Sequence, residues 1–362
     1  MADKLQYRGL RVRTVPRVAF VLHAPVLMLL AWGIFMAVML EDMQQTGTPR
    51  QQPDDAPSTS PTASAPLPGP IGFIGAGKVG TALASLLHAR GVNVRAVAGR
   101  TMTSSHRMAR SARLEPGTAT SRAATVAHSN IVFLTVPDDA IGPLCQEIAA
   151  SGGWREGQGV VHCSGALPSS VLQPARDMGA MIASFHPLQT FASLEAAVQH
   201  MPGSTFAIEG DATLAEQLDM LARVLDGVAI HLTAAQKTLY HAAAVIASNY
   251  TVTLAALASE LLVSQGIAPD DATALRYLMP LLRGTIDNLE ALGLPDALTG
   301  PIARGDAGTV ARHLAALDEC TPELARVYRD LGKSTLPVAI EKSHLARETI
   351  ESLEQALEEK EP

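Results

Sequence analysis

Short apolar runs recur between residues 69 and 232, each followed by glycine, proline or polar residues. Runs of this length bounded by turn-forming residues predict buried β-strands. The predicted strands lie at 71–74 and 94–98, within 130–141, 159–167 and 180–191, and at 205–209 and 228–232. Between the first two, apolar residues at helical spacing predict a helix. This alternation indicates an α/β, Rossmann-type doubly wound sheet over residues 69–232.

Longer helical patterns replace the strands beyond residue 233. Helices are predicted at 234–265, 271–292, 306–317, 322–331 and 338–358. The pairs Gly300-Pro301 and Arg304-Gly305 interrupt this series and predict a loop. An all-α second domain over residues 233–358 therefore follows the sheet.

Composition narrows the class of protein. The formal net charge is -7 and only 4% of the residues are aromatic, so neither a basic surface nor a stacking platform for nucleic acid is expected. The three cysteines, Cys145, Cys163 and Cys320, are far apart, which argues against a disulfide framework. We found no close cluster of His, Cys and acidic residues and therefore predict no metal site.

A glycine-rich turn follows the first predicted strand. Residues 75–80 read Gly75-Ala76-Gly77-Lys78-Val79-Gly80, which is G-x-G-x-x-G between a strand and a helix. In that setting the glycines permit a tight turn, let the backbone approach a pyrophosphate, and let the helix pack closely on the strand. The helix N-terminus then faces the anion. We predict that these six residues bind a dinucleotide cofactor; a purely structural turn is the alternative.

The charges that follow the turn favour NADP over NAD. An NAD site places an acidic residue about 20 residues beyond the turn, to bind the ribose 2′-hydroxyl. There is no acidic residue between Asp55 and Glu115, whereas Arg100-Thr101 stands where the second strand ends. Guanidinium offers paired donors that match phosphate oxygens. We therefore predict that Arg100 and Thr101 contact the 2′-phosphate of NADP; a solvated arginine is the alternative.

The first 68 residues have a different character. A basic segment, 1–17, precedes residues 18–40, which contain no Asp, Glu, Lys or Arg and are long enough to cross a bilayer as a helix. Residues 41–68 are rich in proline, serine and threonine, which predicts a disordered linker. A signal peptide is disfavoured because the apolar run is long.

The charge bias around residues 18–40 conflicts with a cytosolic cofactor. Positive charges before the segment and Glu41 and Asp42 after it would place the rest of the chain outside the cytoplasm. We therefore expect a cytoplasmic protein for which residues 1–68 are dispensable, and whose true start lies downstream, with Met43 a candidate. The alternative is an enzyme anchored in the inner membrane through residues 18–40.

Polar residues also follow the other predicted strands. Val136-Pro137 ends the third strand and should border the cofactor, Ser164 follows the fourth, and His186 and Gln189 follow the fifth. Ligands of open α/β sheets bind outside the carboxyl ends of the strands. These residues are therefore candidates for one site at that edge.

Three sequence segments together resemble a known family. They are the glycine-rich turn, the HPLQTF stretch at 186–191, and AAQKTLYHAAAVIASNY at 234–250; the LTGPIARGD run at 298–306 fits as well. The chain from about residue 69 to 357 is similar to a bacterial family of candidate NADP oxidoreductases with a helical domain of unassigned function. The resemblance implies a C-terminal domain like that of 6-phosphogluconate dehydrogenase, and a homodimer. Its relatives include ketopantoate reductase, prephenate dehydrogenase and pyrroline-5-carboxylate reductase.

The resemblance also implies roles for particular residues. In prephenate dehydrogenase a serine after one strand and a His-Pro pair after the next contact the substrate, and Ser164 and His186-Pro187 hold similar positions. In ketopantoate reductase and the β-hydroxyacid dehydrogenases a lysine on the first long helix is the acid/base, followed by asparagines. Lys237 resembles that lysine, but the residue four later is His241 and the nearest asparagine is Asn249.

The spacing of residues on the first long helix supports the same cluster. Lys237, His241 and Ser248 are four and eleven residues apart and share a helix face, with Asn249 beside it. Reduction of a carbonyl or imine needs a proton donor, and histidine or a lysine of lowered pKa can serve. We predict that His186, Lys237, His241 and Asn249 are catalytic, and that Ser164, Gln189 and Ser248 contact substrate.

Each of these residues has a structural alternative. Lys237 could be a solvated residue near a helix start, His241 an interhelical contact, and His186 a strand-end contact. Arg304 could bind a substrate carboxylate or brace its own loop.

The sequence thus predicts a cytosolic, NADP-dependent oxidoreductase acting on a small oxo, imino or hydroxy acid. A non-catalytic NADP-binding sensor and a membrane-anchored reductase are the alternatives.

Overall fold

The computed structural model describes residues 67–358, with no account of the side chain of Ala127. The predicted segments 1–17 and 18–40, and all but the last two residues of the predicted linker 41–68, lie outside the described residues. Seven strands form one sheet in the order β2-β1-β3-β4-β5-β6-β7. They are β1 (Ile71–Ile74), β2 (Val94–Ala98), β3 (Ile131–Leu134), β4 (Gly159–His162), β5 (Met181–Pro187), β6 (Thr205–Gly210) and β7 (Val228–His231).

The strand order creates a crevice at one edge of the sheet. Strands β1 to β5 are parallel, β6 is antiparallel to β5, and β7 is parallel to β6. Because β2 lies on one side of β1 and β3 on the other, the order in which strands are added to the sheet reverses between β1 and β3. Ligands of such sheets bind outside the carboxyl ends of the strands at this point. The predicted doubly wound α/β fold is confirmed.

Helices cover both faces of the sheet. They are α1 (Lys78–Ala89), α2 (Met102–Ser111), α3 (Arg122–Ala127), α4 (Asp138–Ala150), α5 (Gln173–Arg176), α6 (Leu194–His200) and α7 (Ala212–Val224). Successive residues of β1 point to opposite faces: Phe73 lies in the core beneath α1 and α7, and Ile74 in the core beneath α4.

Four phenylalanines form a row within the first of these cores. Phe73 stacks on Phe133 with ring centroids 5.0 Å apart, and Phe185 stacks on Phe206 at 4.7 Å. Phe133 meets Phe185 edge to face at 6.0 Å. Aromatic pairs of this geometry contribute about 0.5 to 1.5 kcal/mol beyond their burial. The row connects β1 to β5 and β6 across the sheet.

Six helices make up the second half of the described chain. They are α8 (Lys237–Ala247), α9 (Asn249–Ser264), α10 (Asp271–Leu292), α11 (Ala307–Cys320), α12 (Pro322–Ser343) and α13 (Arg347–Leu357). Helices α11 to α13 enclose their own core, which includes Val310, Leu314, Leu336 and Leu353.

Helices α8 to α10 leave many apolar side chains in solvent. Leu239, Val252 and Leu281 are 76%, 70% and 69% exposed. One stretch of the described chain, Ala234–Ser264, is long and apolar enough to span a membrane by length and composition, which by itself is weak evidence for a span; 6% of its apolar window is buried.

The helix boundaries differ from the predicted ones in two places. The helix predicted at 234–265 begins with a 3-10 turn and is divided at Ser248, where φ is -108° and ψ is -63°. The break predicted between residues 331 and 338 is wrong, because α12 continues through Gly332 and Pro337 to Ser343. A Cβ on Gly332 would lie 2.4 Å from Leu357 Cδ2, so this glycine permits α13 to pack closely on α12. The chain turns instead at His344, with φ at 46°.

Candidate active site

The first cleft of the site opens at the carboxyl ends of β1, β2 and β3. It measures about 740 Å³, and its lining includes the glycine-rich turn, three arginines and the acidic Asp139. Lining residues include Gly75, Ala76, Gly77, Arg100, Thr101, Ser104, Arg107, Arg122, Thr135, Val136 and Pro137. Most residues predicted to contact the cofactor therefore lie in one cleft. Val79 and Gly80 instead form the first turn of α1.

The glycine-rich turn leaves its backbone free to meet an anion. Gly75 has a φ of 130°, and a Cβ there would lie 2.4 Å from the Thr135 carbonyl oxygen. A Cβ on Gly80 would lie 2.1 Å from Thr135 Oγ1, so only glycine lets α1 approach β3 this closely. Gly77 precedes α1 without a side-chain cap, which leaves the first amides of the helix available to a phosphate. The turn has the shape that a dinucleotide requires.

Lys78 has a different role from its neighbours in the turn. Its Nζ donates hydrogen bonds to the carbonyl oxygens of Phe191 at 3.2 Å and Ala192 at 2.8 Å. The lysine, predicted to bind cofactor, therefore connects the turn to the segment that follows β5.

The far end of the first cleft is basic. Arg100 follows β2 and is exposed, and Arg107 on α2 also lines the cleft. Thr101 caps α2, accepting a hydrogen bond from the Ser104 amide at 3.2 Å. Arg122 pairs with Glu147 at 3.1 Å. A group with negative charge would be favoured beside Arg100 and Arg107.

A second cleft of about 630 Å³ lies between the end of β5 and the first helices of the C-terminal half. His186, Gln189 and Phe191 line it from the sheet side. Tyr240, His241, Ser248 and Asn249 line it from α8 and the start of α9. The structure therefore brings together five of the predicted site residues: His186, Gln189, His241, Ser248 and Asn249.

His186 is the central side chain of this second cleft. Its Nδ1 lies 2.8 Å from the hydroxyl oxygen of Tyr240, and the two rings meet edge to face. Its Nε2 faces Gly165 and His241: a Cβ on Gly165 would lie 2.8 Å from His186 Nε2 and 2.7 Å from His241 Nδ1. Burial, with the charge of Lys237, lowers the pKa of His186 to about 4. His186 is therefore neutral at pH 7.

Lys237 is fully buried rather than solvated. Its Nζ donates to the Ser184 hydroxyl at 2.8 Å and to the Ser164 carbonyl at 3.0 Å. Burial lowers the pKa of Lys237 to about 8, although the charges of Glu209 and Asp138 partly oppose this shift. The alternative of a surface lysine is excluded. The amine is enclosed by protein and lines neither cleft.

Ser164, predicted to contact substrate, has its hydrogen-bonding capacity filled. Its Oγ donates to Asp138 Oδ2 at 2.6 Å and accepts from the amides of Ala166 at 3.2 Å and Leu167 at 3.1 Å. A hydroxyl has one donor and two acceptor positions, so all three are occupied within the protein. Ser164 thus caps the turn that follows β4, and its contact with substrate stays a prediction.

Arg304 lies apart from both clefts. It is exposed on the loop before α11, close enough to Asp306 to help lower the pKa of that carboxyl, after the hydrogen bonds from Thr309. The structure therefore does not bring Arg304 together with His186 within this one chain.

A buried polar group that the sequence did not reveal lies at the end of β4. The ring of His162 is fully buried: Nδ1 accepts from the Ser164 amide at 3.1 Å, and Nε2 lies 3.2 Å from the Pro168 carbonyl. Burial lowers its pKa to about 4. Glu209 on β6 accepts from both the amide and the hydroxyl of Ser169. In residues 67–358, no group of three His, Cys or acidic side chains is arranged to hold a metal ion.

Comparison with known families and structures agrees with this architecture. Residues 54–187 match a Rossmann-like domain, and residues 204–335 match a domain of unknown function (DUF2520). These matches confirm the resemblance seen in the sequence: a Rossmann-like domain followed by the helical domain of that family. No curated relative matches the chain.

Three solved structures are similar to this chain. The candidate NADP oxidoreductase BF3122 of Bacteroides fragilis is 28% identical, with a TM-score of 0.57 over 74% of this chain and 97% of that one. Protein TM1727 of Thermotoga maritima is 23% identical, with a TM-score of 0.58 over 76% and 100%. A pyrroline-5-carboxylate reductase of Coxiella burnetii is 15% identical, with a TM-score of 0.51 over 75% and 98%. The last two show the fold alone.

Proposed function

We propose that this protein is an NADP-dependent oxidoreductase that transfers hydride between NADP(H) and a small oxo, imino or hydroxy acid. The observation that carries the proposal is the pairing of two clefts at one sheet edge. One has the backbone shape that a dinucleotide needs, and the other holds a neutral histidine. Lys78 connects them, because it reaches from the glycine-rich turn to the backbone of Phe191 in the second cleft. The likeness to BF3122 supports the same function.

The basic end of the first cleft fits the cofactor assignment. Arg100 and Arg107 would meet a 2′-phosphate there, with the amides at the start of α1 holding the pyrophosphate. When bound, NADPH supplies the hydride. The residues of the second cleft then have to orient the acceptor carbon and manage one proton at its heteroatom.

We assign the proton to His186 and a positioning role to Lys237. His186 lines the second cleft and is neutral, so it can hold a proton on one ring nitrogen and accept one on the other. Lys237 reaches neither cleft, but its two hydrogen bonds join α8 to the turn after β4 and to Ser184 within β5. His241, Gln189, Ser248 and Asn249 line the second cleft and are assigned to substrate contacts.

We also propose that a second copy of the chain covers the exposed face of α8 to α10. A stable soluble protein rarely leaves so large an apolar surface open. Eleven residues share this exposure: Leu239, Ile246, Tyr250, Val252, Leu254, Leu275, Tyr277, Leu281, Ile286, Leu289 and Leu292. Sedimentation of the full chain should give a dimer, and Leu239→Glu with Leu281→Glu should give a monomer. A monomeric wild type would contradict the dimer. Recovery only in the membrane fraction of cells would contradict the cytoplasmic location.

A thermal-shift panel tests the function. NADPH, NADP, NADH and NAD are added singly to the full chain, then with ketopantoate, prephenate or a cyclic imino acid. A ligand that binds only the folded state at 100 times its Kd adds about 2.7 kcal/mol to the free energy of unfolding. NADPH should raise Tm more than NADH, and one acid should raise it further. If none of the four dinucleotides changes Tm, the protein is not an oxidoreductase of this type.

A further inference from the structure

Tyr240 makes the closest polar contact to the ring of His186. Its hydroxyl oxygen lies 2.8 Å from Nδ1, with ring centroids 5.7 Å apart and the planes at 86°. Tyr240 is on the first turn of α8, three residues after the buried Lys237, which holds that turn against the sheet. Both Tyr240 and His186 line the second cleft. The contact therefore lies inside the second cleft, and the buried Lys237 fixes the helix turn that carries Tyr240.

The direction of this hydrogen bond decides which nitrogen of His186 carries the proton. A phenol is a better donor than a neutral imidazole N–H, and an imidazole nitrogen is a better acceptor than a phenol oxygen. Burial favours the neutral form of both groups, since it raises the pKa of Tyr240 to about 12 and lowers that of His186. The hydroxyl therefore donates, and Nδ1 accepts.

We infer that Tyr240 is a positioning residue for His186, which fixes the ring in the tautomer with its proton on Nε2. This inference rests on the proposed function in one respect only: Nε2–H delivers a proton to the substrate heteroatom while Nδ1 takes up the hydroxyl proton of Tyr240, and water then returns a proton to the tyrosine oxygen. The ring orientation follows from the same contact. Nδ1 is turned toward Tyr240, and Nε2 is turned toward Gly165 and His241.

The chain contains a matched pair elsewhere. Tyr328 on α12 lies with its hydroxyl 2.9 Å from Nδ1 of His313 on α11, with ring centroids 5.9 Å apart and the planes at 89°. This pair has the same chemistry and geometry but lies in the apolar groove between α9, α11 and α12, away from His186. Tyr328→Phe is therefore the control for Tyr240→Phe.

Long-range proton–nitrogen NMR on the full chain, labelled with nitrogen-15 histidine, tests the inference without any substrate. His186→Gln assigns the signal of His186 among the 11 histidines. In the wild type, Nδ1 of His186 should appear as an unprotonated nitrogen and Nε2 as a protonated one. Tyr240→Phe should convert this signal to an average of the two tautomers, whereas Tyr328→Phe should leave it unchanged and alter only His313.

Two results would overturn the inference. One is a wild-type His186 with its proton on Nδ1, and the other is a His186 signal that Tyr240→Phe leaves unaltered.

Kinetics separate this inference from the proposed function. With a substrate from the panel above, Tyr240→Phe should lower kcat at least tenfold and leave the KM for NADPH unchanged. If none of the four dinucleotides changes Tm, the proposed function fails while the NMR result still decides the role of Tyr240.

Discussion

Gly165→Ala perturbs the site at the point where His186 and His241 meet. Gly165 is buried, and an added methyl carbon would lie 2.8 Å from His186 Nε2, 2.9 Å from its Cε1 and 2.7 Å from His241 Nδ1. Ordinary contact begins near 3.4 Å, so both rings must retreat by roughly 0.6 Å. His186 is held by Tyr240, which limits its movement. Overpacking of this kind costs about 1 to 3 kcal/mol.

Urea unfolding of the full chain measures that cost, and Gly117→Ala is the matched control. A Cβ on Gly117 meets nothing within 4 Å, so the control should change the free energy of unfolding by less than about 0.5 kcal/mol. Gly165→Ala should unfold at a lower urea concentration and shift the His186 NMR signal, with NADPH binding unchanged because Gly165 does not line the first cleft. If it matches the control in both respects, the close approach of the two rings to Gly165 is refuted.

Three further predictions concern charged and titrating groups. Arg100→Ala should weaken NADPH binding by about 1 to 3 kcal/mol and leave NADH binding nearly unchanged in fluorescence titrations; equal losses would contradict the 2′-phosphate contact. Lys237→Met should lower the free energy of unfolding by about 2 to 4 kcal/mol, since a buried network loses its donor, whereas the exposed Lys333→Met should not. His162 and His186 have pKa values lowered to about 4, so the unfolded chain binds protons first and stability should fall as pH drops from about 6.5 to 4. A flat stability profile over that range would contradict their burial as neutral rings.

The sequence predicted the sheet well because its signals are local. Each strand is an apolar run closed by a turn residue, and the glycine-rich turn identifies its own strand and helix. The break predicted near Pro337 failed because proline is only a local signal. The packing of Leu357 against Gly332 extends the helix past it. Tertiary contact outweighed local preference there.

The candidate site was predictable only where strand ends determine it. His186 and Gln189 were found because they follow a strand, and His241 because it follows Lys237 by one helical turn. Tyr240 was missed because a tyrosine beside a histidine on a helix has no distinguishing pattern. Gly165 was missed because its importance depends on two rings from distant elements. The occupied hydrogen-bonding positions of the Ser164 hydroxyl likewise depend on Asp138, which is 26 residues away in sequence.

The Lys78 contact bears on any attempt to change the cofactor preference of this protein. Exchange of the whole glycine-rich turn would treat its variable positions as interchangeable. Here Lys78, at the second variable position, donates hydrogen bonds to the backbone of Phe191 and Ala192. A transplanted turn without a lysine at position 78 would remove two hydrogen bonds to the segment after β5, which lines the second cleft. Grafted variants should therefore be tested for the shape of the second cleft, and for turnover of the proposed acid substrate, as well as for dinucleotide affinity.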